Sequence, residues 1–312
     1  MTTSHGDPLT VRPAIAPPGR TGNESLDVPP HWRRAVAALQ TPDQQRPVSP
    51  PERLPAVFSD LPPALRAIVG AILQGRALAP ELLERTVEQQ RALLRAGGLR
   101  RADDIETLAI LVRLLVERPL TGATAVNDLA QAYHHLKRTH WWPSGPEDLP
   151  LCALLAAAPA PIDELIARIE RLHLTLSEGD EVPDDTLALV LLCWTASRLP
   201  EQEVVLRLRD LRTELVLSSI PLLPEDGALL PYFAGIDQPP EAVITLFSHH
   251  RQTLQRENQV PSTTISIALA GDLVMLALVG DQVRPAVIAA VVISAWLAHR
   301  RRDPHPPARL VH

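Results

Sequence analysis

An all-α fold built from stacked helical hairpins is predicted by three features of this sequence. Apolar residues make up 46% of the 312, yet aromatics only 3%, so the core must be Leu, Ala, Val and Ile, the residues of close helix–helix packing. Segments apolar on most faces alternate with amphipathic ones. Four of the apolar segments open on an acid pair, at Asp103, Glu147, Asp184 and Glu225, intervals of 44, 37 and 41 residues. A period near 40 with two helices per unit is the mark of a helical-hairpin array, in which each apolar helix is covered by its neighbours. The array can be open and α-solenoid-like or closed into an α/α ring; irregular spacing suits the open form better.

Taken in order, residues 1–60 are Pro-rich ("VPPHWRR", "RPVSPPERLP") and cannot bury enough apolar surface to offset their ordering entropy, so an extended arm is expected. Residues 61–303 form the helical-hairpin domain and 304–312 a short tail. About twelve helices are predicted: 64–75, 80–96, 103–118, 124–138, 147–158, 161–177, 184–198, 200–216, 225–235, 239–255, 262–279 and 284–300. In "PIDELIARIERLHLTL" the residues Ile162, Leu165, Ile166, Ile169, Leu172 and Leu176 recur at steps of three and four, which makes one apolar stripe. The acid pairs fit the orphan amides and the dipole at a helix start, a cap worth about 1 kcal/mol. "AGG" at Ala96–Gly98 reads as a helix C-terminus. Only Thr213–Pro224 carries any strand character.

The phrases "EDLPLCALLA" (Glu147–Ala156), "IDELIARIERLHLTL" (Ile162–Leu176) and "DDTLALVLL" (Asp184–Leu192) resemble the recurring acid, small-apolar and Leu-Leu-Ala pattern of a family of uncharacterised bacterial all-helical proteins. The resemblance covers residues of about 85–280. It implies a fold and brings no activity and no site residues.

A net charge of −6 leaves no basic excess for a nucleic-acid binder. Cys152 and Cys193 lie in apolar runs without CxxC neighbours, so buried free thiols in a reducing cytoplasm are expected. The apolar run Pro285–Ala298 is shorter than the roughly 20 residues of a spanning helix and reads as a core helix. A peripheral membrane role would require that its apolar face be exposed.

The least ordinary segment is "AYHHLKRTHWWPSGPED" (Ala132–Asp148), which holds three histidines, the chain's single lysine and adjacent tryptophans. Tyr133, His134, His140, Trp141 and Trp142 are its candidate partner-binding residues. One tryptophan is expected to pack the loop on the body and the other to face a partner. His134 and His135 project about 100° apart, and the i, i+4 spacing of helical zinc ligands is absent, so no metal and no cofactor is predicted. A second double histidine, His249–His250, repeats the pattern. The chain has no nucleophile elbow, phosphate-cradling glycine loop or HExxH. The expected function is a non-catalytic cytoplasmic scaffold or adaptor for a protein or peptide. The alternative is a helical-ring enzyme, with a divalent cation and a small substrate near Asp104, Asp148, Asp185 and Asp226.

Overall fold

A computed structural model describes residues 58, 59, 61, 66, 70 and 80–302, apart from 121, 140–141, 143–144, 146–147, 179–185, 197–198, 219–228 and 257–262. The proline-rich arm, the predicted helix 64–75 for the most part and the tail fall outside the described residues. Among the described residues eleven helices follow one another. They are α1 (Pro80–Ala96), α2 (Asp103–Leu115), α3 (Gly122–Leu136), α4 (Asp148–Leu155), α5 (Ile162–Glu178) and α6 (Thr186–Thr195). Then come α7 (Glu201–Leu217), α8 (Leu230–Phe233), α9 (Pro240–Arg256), α10 (Thr263–Leu278) and α11 (Arg284–Arg302). No strand occurs among these residues, and Thr213–Leu217, the start of the strand candidate, completes α7.

The fold is all-α, and its packing follows the two helix types. The stripe Ile162, Leu165, Ile166, Ile169, Leu172 and Leu176 is the buried set of α5. By contrast every residue of α4, and every residue of α6 from Leu187 to Trp194, is buried. Helices with one apolar stripe lie outside and helices apolar all round lie inside. The outer helices α1, α3, α5, α7 and α9 touch one another in chain order, and so do α2, α4, α6, α8 and α10 beneath them.

The outer layer keeps a stricter spacing than the acid pairs. Pro161, Pro200 and Pro239 stand 39 residues apart, each just before an outer helix. Buried residues then match by position: Leu165, Val204 and Val243; Ile169, Leu208 and Phe247; Leu176, Leu215 and Leu254. Polar contacts match as well. Arg168 Nη2 donates to the carbonyls of Ala196 and of Leu199, the latter at 2.9 Å, just beyond α6. One unit later Arg207 Nη2 donates to the carbonyls of Ile236 and of Gln238, the latter at 3.1 Å, just beyond α8. Each arginine satisfies carbonyls that a helix end would otherwise leave open.

The last helix has a different place. α11 packs against α2, α4, α6 and α10, so it lies along the inner row. Ala286, Val287, Ala289, Ala290, Val291, Val292, Ile293 and Trp296 are buried, and Ile288 and Leu297 are half-buried against the same core. Among its described side chains no apolar one is exposed, so the open apolar face that a membrane role would require is not seen there. The inner surface is filled by the chain itself.

The described acids at the start of α2 stand inside its first turn and not at the cap position. α2 begins after Ala102, which makes no side-chain cap, while Asp103, Asp104 and Glu106 occupy the first turn. There they complement the dipole. Asp148 looks backward, its Oδ2 accepting the Gly145 amide at 2.8 Å to close the preceding turn. At the end of α1, Gly98 takes a φ of 77° and the Leu99 amide bonds to the Leu94 carbonyl at 3.0 Å, a glycine-terminated helix end.

Candidate functional site

The C-terminal end of α3 and the loop between α1 and α2 meet at Tyr133. Its ring is 2% exposed, on the inward face of α3 with Val126, Leu129 and Leu136. Packing thus fixes the ring, and cations gather about it. Arg101 lies with its guanidinium carbon 4.6 Å from the ring centre, and its Nε donates to the phenol oxygen at 3.2 Å. Lys137 Nζ is 5.6 Å from the same centre. His134 meets the ring edge-on with centroids 5.6 Å apart. A cation near a ring face is attracted to the π-quadrupole, so the phenol holds both side chains in place. Lys137 and His134 are exposed and Arg101 half-buried.

The nearest acid is already committed. Glu106 is fully buried and bonds Arg95 at 2.8 Å, faces Arg91 at 3.7 Å and accepts the backbone amide of Arg101 at 2.8 Å. Arg95 also pairs with Asp103 at 2.7 Å. Beside this neutralised set, Arg101 and Lys137 have no carboxylate partner among the described residues.

The other predicted site residues part company. Trp142 is 3% exposed and belongs to the core, the packing role expected of one of the two rings. His140 and Trp141 lie outside the described residues. His134 and His135 diverge as helix geometry requires: His135 Nε2 meets Glu170 of α5 at 2.9 Å. His249 and His250 sit side by side on α9, rings 5.8 Å apart, and two outer helices, α5 and α7, separate them from the pair on α3. An open groove of about 560 Å³ runs along α9, lined by Pro239, Glu241, Ala242, Thr245, Leu246 and His249.

Of the acids proposed for an enzymatic rim, Asp104 is half-buried and Asp148 is buried with its turn, while Asp185 and Asp226 lie outside the described residues. No group of three or more His, Cys, Asp or Glu among the described residues is arranged to hold a metal. Both cysteines are free and buried. Burial drives the Cys152 thiol well above its ordinary range, with Asp148 adding to the effect, and raises Cys193 to about 12. Neither is a thiolate nucleophile at neutral pH. No helix among the described residues is long and apolar enough to cross a membrane.

Two residues escaped the sequence reading. Arg101 belongs to the site although it is 32 residues from Tyr133, and only the fold joins them. Asp272 is the sole ionisable residue of α10, "TTISIALAGDLVMLAL", and burial pushes its carboxyl up to about 7. Its signal was legible as a lone acid in an apolar helix.

No family model, curated protein or solved structure matches the chain.

Proposed function

We propose that this protein is a non-catalytic helical-repeat adaptor that binds a protein or peptide partner, and that it does so on its outer layer at the α1–α3 end. One observation carries the reading: α11 fills the inner row, so the surface that a helical array usually offers to a ligand is taken up by its own core. What remains for a partner is the outside, where the fixed, positively charged surround of Tyr133 is the most organised polar surface described. Fixed side chains lose little freedom on binding, which is what a contact point requires. The 39-residue match of three outer helices supports the repeat architecture on which the reading rests.

The test is a pull-down from the native host with the full chain against an Arg101→Glu, Lys137→Glu variant of unchanged circular dichroism. A protein captured by the wild type and lost in the variant is the expected result. Equal capture by both would reject this surface as the contact, and a co-purifying metabolite with no protein partner would reject the adaptor reading itself.

A further inference from the structure

The cation cluster at Tyr133 joins two charges on one buried ring with no carboxylate between them among the described residues. Some other guanidinium groups do meet a carboxylate: Arg95 meets Asp103 and Glu106, Arg171 meets Glu201, and Arg284 meets Asp281. Arg168 and Arg207 meet carbonyls. The chain has more acids than bases, 36 against 30, so the missing counter-charge at Arg101 and Lys137 does not come from a shortage. The arginine is also oriented. Nε is committed to the phenol and Nη1 donates to the Arg100 carbonyl, while no acceptor among the described residues takes Nη2. Its unused N–H groups and the exposed ammonium of Lys137 flank one immobile ring.

We infer that this cluster is a carboxylate-binding point for an acidic peptide segment of the partner; the inference rests on the adaptor reading. A guanidinium whose plane is fixed by a ring presents a directional pair of donors to a carboxylate, and the ammonium adds a second charge beside it. Two like charges held about one ring are relieved by an anion between them. A peptide fits better than nucleic acid because the chain as a whole carries a net charge of −6 and would repel a long polyanion.

The single lysine makes the test specific. Reductive methylation with ¹³C-formaldehyde labels only Lys137 and the terminal amine and keeps the charge. A hexaglutamate peptide titrated into the labelled full-length protein should shift the Lys137 resonance saturably and leave the terminal one in place. In parallel, anisotropy of fluorescein-labelled hexaglutamate should show binding weakened about tenfold or more by Lys137→Gln and by Arg101→Gln, one charge-assisted contact each. Lys137 is exposed, so its variant folds whether or not Arg101→Gln disturbs the loop. Unchanged affinity in Lys137→Gln, or a silent Lys137 resonance, overturns the inference. So does an equal shift from inorganic phosphate at matched ionic strength, which would mark a free-anion site. Binding to phosphatidylserine vesicles without binding to the peptide would assign the patch to a membrane surface instead. If a host partner survives both Gln substitutions while the resonance stays silent, the inference fails and the adaptor reading stands. If hexaglutamate binds and the pull-down yields no protein, the adaptor reading fails alone.

Discussion

At the scale of single residues the fold carries two titrating groups whose effects on stability run in opposite directions. Asp272 is held protonated by burial up to about pH 7, whereas its ordinary value is 3.8. Between those values the folded chain keeps a proton that the unfolded chain releases, so stability falls as pH rises through the window. Asp272→Asn removes that penalty. Its gain in melting temperature over wild type should be larger at pH 8 than at pH 5, and equal gains would show that the carboxylate is well solvated in the fold. His250 behaves in the other sense. Burial, and then the neighbouring His249, hold it below its ordinary 6.5, so stability is present above that value and is lost as pH falls beneath it. In the 39-residue frame His250 stands where Leu172 and Leu211 are buried, and its Nε2 has no hydrogen-bond partner among the described residues. His250→Leu should therefore raise the melting temperature, and more at pH 5.5 than at pH 8. A loss of stability at both would show that the imidazole makes a contact the leucine cannot replace.

At the scale of elements, sequence periodicity was a faithful guide to which face is buried and a poor one to what holds a helix end. The stripe of α5 could be written down residue by residue, because a 3.6-residue period leaves one choice of face. The 39-residue spacing was harder to see, since the acid pairs mark inner helices whose starts drift while the prolines before the outer helices do not. Nor does any local pattern reveal that Arg168 and Arg207 reach the next inner helix, because those contacts span 31 residues or nearly so. The pair makes a clean experiment. Arg168→Met should cost about 1.5–3 kcal/mol in urea unfolding, as two carbonyls lose a charged donor. Arg207→Met should cost less, because its contact with Gln238 is exposed. Equal, negligible costs would mean that water replaces the guanidinium at no loss. Gly235 adds a second, tighter joint, for a Cβ there would sit 1.9 Å from Thr195 Oγ1. Gly235→Ala is thus expected to separate α8 from α6 and to lower the melting temperature.

For the whole molecule, the sequence announces that Pro285–Ala298 is buried but is silent about where. An all-round apolar helix says only that it has neighbours on every side. The site was half legible on the same grounds: Tyr133 and His134 stood out by type, whereas Arg101 joins them only because α1, α2 and α3 pack together. Removal of α11 by ending the chain at Gly280 should leave the inner row without its cover. The expected product binds a hydrophobic dye and melts without a cooperative transition. A cooperative melt at the wild-type temperature would mean that α11 is a detachable strap.

The position of α11 also sets an order of assembly. Its contacts with α2 join segments roughly 180 residues apart, so at about 5–20 residues per second the ribosome delivers the centrepiece some 10–40 seconds after the walls that will enclose it. During that interval the nascent walls present Leu, Ala and Val to whatever is nearby, and long-separated contacts are slow to close once the last segment emerges. Co-expression of a chaperone that shields apolar helices during translation should therefore raise the yield of folded chain more than a stabilising substitution does.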